Sequence, residues 1–283
     1  MDIQSSTHQP LAQSDTGKAT LAAANATILY LLAYLLMQGL YQLATIGMAA
    51  RLGIRGVWQL GRVQFQLSDA EWWQSAVLAV YGIGPVVCGG VVLAALAWFW
   101  KRARLRRGLL KQFLLWVMLH GCNLSLGVLA ADTLTQSGAW YVPSWLFRAG
   151  NGLNVVVAIL AAAAQIGLGF LAARVFLQSH DSITLMQHHN RRRLLLATVV
   201  APWVVGSLLL AAFYFPAQTL TEQLHAVLLL LLLGPMGMAS STEFFEGTIA
   251  QPSRPRLALG LLLLLAGALV VGRLVLTRGV PFG

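Results

Sequence analysis

Seven long apolar runs constrain the fold of this 283-residue chain more than any other feature of its sequence. They lie at 21–50, 75–100, 109–131, 152–177, 194–215, 224–239 and 257–276. About 20 apolar residues in a helix cross the hydrocarbon layer of a membrane, and in lipid only internal hydrogen bonding satisfies the backbone. The sequence therefore predicts an all-α integral membrane protein, a polytopic helical bundle of about seven transmembrane helices.

The composition supports this fold class. Charged residues make up only 10% of the chain and hydrophobic residues 58%, whereas a soluble domain carries about 25% charged residues to cover its surface. We expect a polar, disordered cytoplasmic N-terminus over residues 1–19 and a single multi-pass transmembrane domain over residues 20–283. The sixth run is the shortest and contains Gly234-Pro235, so a broken helix, a re-entrant segment and a full span all remain open for it.

The linkers between the runs indicate an orientation. Lys and Arg collect in cytoplasmic loops, and the linkers after the second, fourth and sixth runs are the basic ones. The first linker opposes this pattern because it holds Arg51, Arg55 and Arg62. We predict a cytoplasmic N-terminus, an outside C-terminus and, from a composition typical of bacterial proteins, a place in the bacterial cytoplasmic membrane.

The net charge of +10 is concentrated in these linkers and suggests a lipid partner. Clustered Lys and Arg next to a span bind anionic head groups, so we expect such contacts from six residues of the second linker: Lys101, Arg102, Arg104, Arg106, Arg107 and Lys111. A membrane-protein partner is also compatible with the sequence. No basic helix or aromatic platform outside the runs indicates nucleic-acid binding.

Polar residues inside the apolar runs are the candidate functional residues, because such residues are costly in lipid. They are Gln38, Gln42, His120, Asn123, Asp132 and Asn154. Gln38 and Gln42 share one helix face with Thr45, since they recur at helical spacing. These residues form either a polar cavity, conceivably a proton or solute path using His120 and Asp132, or ordinary hydrogen bonds between helices.

Motifs for catalysis, metal binding or cofactor binding are absent from the sequence. We therefore predict no catalytic residue, no metal ligand and no cofactor. Cys88 and Cys122 lie inside apolar runs and are expected to be free thiols. The polar residues of the fourth linker and of the end of the sixth run are expected to be solvated rather than metal-binding: His180, Asp181, His188, His189, Glu243 and Glu246.

The region 36–92 contains an ordered series of short motifs. It reads Gln38-Gly39-Leu40-Tyr41-Gln42, then Ala49-Ala50-Arg51-Leu52-Gly53, then a β-prone segment at 57–67, then Gly84-Pro85. This frame resembles the membrane-embedded site-2-type zinc metalloproteases, whose core opens with a His-Glu-x-x-His helix. The positions of the two zinc ligands hold Gln38 and Gln42, and the position of the general base holds Gly39.

That resemblance implies a protein without the family's chemistry. Amide side chains are poor zinc ligands, and glycine cannot activate a water molecule. Asp132 and Asn154 are the candidate remnants of the family's downstream motif. The implied protein is a non-catalytic member that binds proteins or peptides in the membrane without cutting them.

Three functions from different classes follow from the sequence. The first is a non-catalytic, site-2-protease-like membrane protein with a binding or scaffolding role. The second is a small-solute or proton-coupled transporter that uses the polar helix faces. The third is a membrane enzyme with an unrecognised motif. Convergence of the polar residues on one cavity would favour transport or catalysis, and their pairing in a dry interior would favour a scaffold.

Overall fold

The predicted set of seven long helices is present in the structure. The computed structural model describes residues 15–148, 150–181, 190–217, 219–242 and 256–283. Within these residues seven helices are long and apolar enough to cross a membrane: Gly17–Arg51, Gln74–Lys101, Leu110–Thr135, Asn151–Gln178, Arg191–Tyr214, Leu220–Thr242 and Leu259–Arg278. The all-α bundle expected from the apolar runs is therefore confirmed.

Four of the long helices are single elements, and three are interrupted. The uninterrupted ones are α1 (Asp15–Arg51), α2 (Gln74–Lys101), α6 (Asn151–Gln178) and α11 (Leu259–Arg278). The third consists of α3 (Leu110–Cys122), a π-turn (Asn123–Gly127) and α4 (Val128–Thr135). The fifth consists of α7 (Arg191–Leu195), a π-turn (Leu196–Val200) and α8 (Ala201–Tyr214). The sixth consists of α9 (Leu220–Leu228) and α10 (Leu230–Thr242).

Short elements connect these helices. A small helix, α5 (Tyr141–Phe147), follows α4, and 3₁₀ turns lie at Asp69–Glu71, Ala103–Leu105 and Gly138–Trp140. Helix α1 begins at Asp15, so the last five residues of the segment 1–19 belong to this helix, and residues 1–14 lie outside the described residues.

The sixth long helix breaks at a different place from the one that its sequence suggested. The interruption falls at Leu229, whereas Pro235 lies inside α10. Helix α10 packs closely on α6, because a Cβ atom on Gly169 would lie only 2.6 Å from the Leu232 carbonyl oxygen. This close backbone approach needs a glycine, and it fixes α10 against α6.

Helix α3 lies at the centre of the bundle and α11 at its edge. Nine of the residues of α3, including Trp116 and Leu119, are buried. Tyr30 and Met37 of α1 are buried as well. Only Leu265 of α11 is buried, while large apolar residues such as Leu263 point outward. A contiguous exposed apolar surface of this kind indicates contact with lipid or with another protein.

A three-stranded antiparallel sheet joins distant parts of the chain at one end of the bundle. Strands β1 (Gly56–Gln59) and β2 (Arg62–Phe65) form a hairpin after α1, and β3 (Val280–Phe282) pairs with β1 after α11. The hairpin turns at Gly61, whose φ of 83° suits glycine. The hairpin overlaps the β-prone segment 57–67 and begins one residue before it. The pairing with β3 places the ends of α1 and α11 at the same end of the bundle.

The opposite end contains a buried ion pair that corrects one expectation. Lys111 is buried, and its Nζ atom lies 2.5 Å from Asp181 Oδ1. The Gly108 N–H donates to Asp181 Oδ2 at 2.7 Å. The expected contact of Lys111 with lipid head groups is therefore wrong, because Lys111 faces the end of α6 rather than the outside. The other five basic residues of this linker are exposed.

The fourth linker was expected to be solvated, and its first residues are not. His180 is buried, its Nδ1 atom lies 2.9 Å from Gln112 Nε2, and its Nε2 atom lies 3.5 Å from Thr198 Oγ1. Burial, and secondarily the Lys111 charge, lowers the pKa of His180 to about 3, against the opposing effect of Asp181. His188, His189, Glu243 and Glu246 lie outside the described residues.

Candidate functional site

A cavity of about 680 Å³ lies beneath the hairpin, at the end of the bundle that carries the sheet. Its walls come from α1, the hairpin, α2, α4, the turn after α4, α5 and the start of α9. Its polar interior residues are Gln38, Gln42, Asp132, Glu222 and His225, and its aromatic residues are Tyr41, Phe65, Tyr81 and Tyr141. The volume is in the range of small-molecule sites in proteins.

Helix α1 contributes the polar face that its periodicity predicted. Gln38, Gln42 and Thr45 all line the cavity. Gln42 Oε1 accepts a hydrogen bond from Trp58 Nε1 at 2.9 Å, which ties the hairpin to α1. Gln38 Oε1 is buried and has no hydrogen-bond partner among the described residues. Gln38 precedes the end of α1 by 13 residues, which is roughly 20 Å at the helical rise of 1.5 Å per residue.

The turn after α4 positions Asp132. Its Oδ2 atom accepts a hydrogen bond from the Ala139 N–H at 2.6 Å. Gly138 has a φ of 54°, and a Cβ atom on it would lie 2.4 Å from Asp132 Oδ2. Only glycine permits this backbone to wrap so closely around the carboxylate. Asp132 is 3% exposed, and its second oxygen, Oδ1, is directed toward His225, whose Nε2 atom is 3.9 Å away.

Helix α9 brings two further ionisable residues to the same wall. Thr219 and Glu222 form a capping box, in which the Thr219 N–H donates to Glu222 Oε2 at 2.9 Å. The other oxygen, Oε1, is buried without a hydrogen-bond partner in the described part of the chain, as is His225 Nε2. Glu222 and His225 are three residues apart and therefore share one helix face.

A much smaller cavity, of about 30 Å³, adjoins the large one. Glu222 and His225 line both cavities, and the small one extends to His120 and Asn123. The His120 ring packs 4.6 Å from the Tyr30 ring and 5.5 Å from the Tyr34 ring. Its Nε2 atom has no hydrogen-bond partner among the described residues. The space is sufficient for a buried water molecule, and side chains that can bond to it, such as His120 and Glu222, lie among apolar ones in the wall.

The π-turn explains how Asn123 reaches α9. Asn123 begins the turn, and its Nδ2 atom donates to the His225 carbonyl oxygen at 2.9 Å. Gln165 Nε2 in turn donates to Asn123 Oδ1 at 3.1 Å. Asn123 and Gln165 therefore form hydrogen bonds between helices, which is one of the two roles predicted for the polar residues. The bond from Asn123 also holds the backbone of His225 at the cavity wall.

The six predicted residues separate into three groups. Gln38, Gln42 and Asp132 line the large cavity, and His120 and Asn123 line the small one. Asn154 lines neither cavity, and its Nδ2 atom donates to Ser144 Oγ at 2.5 Å.

Sequence reasoning did not place Glu222 or His225 in the site. The signal that points to them is local: Thr219 and Glu222 carry the spacing of a capping box, and His225 is one turn further along the same face.

Of the positions named by the protease resemblance, Gln38, Gln42 and Asp132 line this cavity, whereas Gly39 and Asn154 do not. Gln38 and Gln42 are one turn apart on α1, and Asp132 lies on the wall of the same cavity. A Cβ atom on Gly39 would have no heavy atom within 4 Å. In the described residues, His, Cys, Asp and Glu form no group of three that could hold a metal ion. Cys88 and Cys122 are free thiols, as expected.

Comparison with known proteins finds no similar protein or structure. The chain matches no family model, no curated protein and no solved structure. The fold is a bundle of seven long helices with exposed apolar residues on its outer helices and a cavity with polar residues beneath a small sheet.

Proposed function

We propose that this protein is a multi-pass integral membrane protein that binds a small polar ligand in the cavity beneath the hairpin. Membrane insertion is supported by seven helices of sufficient length and hydropathy and by exposed apolar residues on the outer helices, such as Leu160, Leu171 and Leu263. Exposing so much apolar surface to water is energetically unfavourable, whereas contact of the same surface with lipid tails is not.

One dense cluster of exposed basic residues supports the orientation proposed from the linkers, against the exposed Arg51, Arg55 and Arg62 at the sheet end. Lys101, Arg102, Arg104, Arg106 and Arg107 are exposed at the end of the bundle remote from the sheet. Anionic head groups of the cytoplasmic leaflet would attract them. In this orientation the N-terminus is cytoplasmic, and the hairpin, β3 and the cavity lie on the outer side of the cell membrane.

The observation that carries the binding function is the concentration of unsatisfied polar atoms in one cavity. Buried polar atoms in proteins are almost always hydrogen-bonded, and each exception needs an explanation. The described residues contain seven such exceptions, and three of them, Gln38 Oε1, Glu222 Oε1 and His225 Nε2, belong to residues that line the large cavity. A fourth, His120 Nε2, belongs to a residue of the adjoining small cavity. A ligand or ordered water in the cavity supplies the partners that the protein does not.

We expect this binding to be non-catalytic, in keeping with the resemblance to site-2-type proteases. The two cavity residues at the ligand positions of that frame are amides, which bind zinc poorly, and the position of the base is glycine. The same cavity that would hold a polypeptide for cleavage in a protease would here only bind its ligand.

Access to the cavity is tested by cysteine labelling in intact cells. In a background with Cys88→Ala and Cys122→Ala, single Thr221→Cys and Gln38→Cys variants are treated with a membrane-impermeant charged thiol reagent. Both variants should react from outside, and a solute that binds in the cavity should slow the reaction of the Gln38→Cys variant. The matched control is Ala161→Cys, a buried position that lines neither cavity. Reaction at Thr221→Cys without reaction at Gln38→Cys would reduce the cavity to a shallow groove and contradict the proposal.

The protease-like frame has a separate test. The variant Gln38→His, Gly39→Glu, Gln42→His restores the ligand pattern, and open space around Gly39 allows the longer side chain. If the frame is preserved, elemental analysis should find about one zinc ion per purified variant chain and none in the natural protein. Zinc in neither protein would remove support for the resemblance and leave the binding proposal intact.

Proton-coupled transport is the second candidate function. The specific observation in its favour is the pair of Asp132 Oδ1 and His225 Nε2, 3.9 Å apart, at the junction of the large and small cavities. Carboxylate and imidazole groups inside a bundle are typical of proton relays. Uptake of a solute into proteoliposomes that depends on a pH gradient and is lost in Asp132→Asn would favour transport over binding alone.

A further inference from the structure

We infer that the ligand of the large cavity is a small organic cation with N–H donors, such as a primary ammonium ion. This inference rests on the proposed binding function and gives its ligand class. It follows from three properties of the cavity wall: the sign of its charges, the kind of hydrogen-bonding atom that lacks a partner, and the position of its aromatic rings.

The interior of the cavity holds two carboxyl groups. Asp132 and Glu222 both line it. Of the lining residues in the described part of the chain, Arg62 alone carries a permanent positive charge, and it is exposed on the hairpin with its Nε atom bonded to Gln59 Oε1 at 3.2 Å. Arg62 therefore lies at the mouth, while the carboxylates lie inside, where a cation is the compatible ligand.

Most of the unpaired polar atoms of the wall are acceptors. Gln38 Oε1 and Glu222 Oε1 are oxygens without a partner in the described residues. The Ala139 N–H donates the one hydrogen bond that those residues make to the Asp132 carboxylate, at Oδ2, and Oδ1 faces His225 Nε2 at 3.9 Å. His225 Nε2 donates or accepts according to the tautomer of its ring. Two unpaired oxygens that accept favour a ligand group that donates several hydrogen bonds, as an ammonium group does.

Another part of the wall is aromatic. Phe65 of the hairpin, Tyr81 of α2 and Tyr141 of α5 line the cavity in a continuous row. The centroids of the Phe65 and Tyr81 rings are 5.9 Å apart, and those of Tyr81 and Tyr141 are 5.2 Å apart. Aromatic faces attract cations and also pack against an apolar ligand body. A small amine with an aromatic or aliphatic body suits both the oxygen acceptors and the aromatic rings.

The test uses four probes that share one molecular frame. Purified protein in detergent and amine-free buffer is titrated with 2-phenylethylammonium, its N,N,N-trimethyl derivative, 2-phenylethanol and 3-phenylpropionate, and binding is measured by calorimetry. We expect the ammonium probe to bind at least about tenfold more tightly than the alcohol, because charge-assisted hydrogen bonds are about twice as strong as neutral ones. The trimethyl derivative should bind more weakly than the ammonium probe, and the carboxylate should not bind.

Variants locate the binding in the cavity. Asp132→Asn and Glu222→Gln each keep an oxygen for the bond to Ala139 or Thr219, and each should weaken ammonium binding roughly tenfold or more. The matched control is Glu71→Gln, which removes an exposed carboxylate outside the cavity and should leave binding unchanged.

The outcomes separate the inference from the function on which it rests. Equal or tighter binding of the alcohol or the carboxylate, or full binding by both cavity variants, overturns the cationic ligand but keeps a binding cavity. Binding of none of the probes to a protein whose Gln38→Cys variant is labelled also overturns the cationic ligand. Failure of that labelling overturns the proposed function itself.

Discussion

The two ends of the bundle treat buried polar groups in opposite ways. At the end remote from the sheet, Lys111 is paired with Asp181, and His180 lies between Gln112 and Thr198. At the sheet end, Gln38, Glu222 and His225 each retain a buried atom without a partner in the described residues. Both ends bury polar atoms, but in the described residues three unpaired atoms meet at the cavity of the sheet end, whereas the remote end keeps only one near its ion pair, Gln178 Oε1. The difference separates polar groups that hold helices together from polar groups that have space beside them for a ligand or water.

The largest effect is expected from the paired end. Asp181→Ala leaves the buried Lys111 charge without a partner, which should destabilise the protein by about 3–5 kcal/mol. Thermal unfolding in detergent measures the loss. The double variant Lys111→Met, Asp181→Leu should recover most of it, because no buried charge remains. An Asp181→Ala protein as stable as the natural one would remove the distinction between the two ends.

A smaller effect is expected from pH at the same end. The pKa of His180 lies at about 3 in the folded protein, lowered chiefly by burial, against a usual value of 6.5. The unfolded chain therefore takes up the proton first, and the contribution of His180 is complete above pH 6.5 and is lost as the pH falls toward 3. At pH 5 the loss is about 2 kcal/mol. The stability difference between the natural protein and His180→Gln should shrink by about that amount between pH 7.5 and 5. A constant difference would mean that His180 is not buried as a neutral ring.

The smallest effect is expected from the cavity end, and it has the opposite sign. The Gln38→Leu variant removes an oxygen that has no hydrogen-bond partner in the described residues. The substitution should therefore leave the free energy of unfolding unchanged or raise it by up to about 1 kcal/mol. Gln112→Leu is the matched substitution at the paired end, and it should destabilise by about 1–3 kcal/mol because it removes the partner of His180 Nδ1. Equal losses in the two variants would show that Gln38 has a structural role.

The elements of the fold could be predicted because their signals are local. The apolar run 75–100 predicts α2 to within a residue at each end, and hydropathy alone decides this in lipid. The break of the sixth helix could not be predicted, since Pro235 is accommodated inside α10 beside Gly169 of α6. Tertiary packing, which the sequence of one helix does not contain, determined where that helix is interrupted.

The candidate site was predictable on α1 and not beyond it. Helical spacing places Gln38, Gln42 and Thr45 on one face whatever their surroundings. Which other helix faces them is a long-range property, and so Asn154 was included although it bonds to Ser144 elsewhere. His225 was omitted although Asn123 holds its backbone beside the cavity. The periodicity of one sequence shows which residues share a helix face. Only the packed structure shows which residues of other helices lie against that face.

The sheet above the cavity has a consequence for the order of assembly during synthesis. Strand β1 pairs with β2 nearby, but Trp58 also pairs with Val280 of β3, which follows six further long helices in the chain. A ribosome releases the hairpin long before it releases β3. The edge of the hairpin therefore stays unpaired while six long helices are made, and the sheet is completed only after α11 has emerged. An exposed strand edge can pair with other strands, so the chain carries this risk through most of its synthesis.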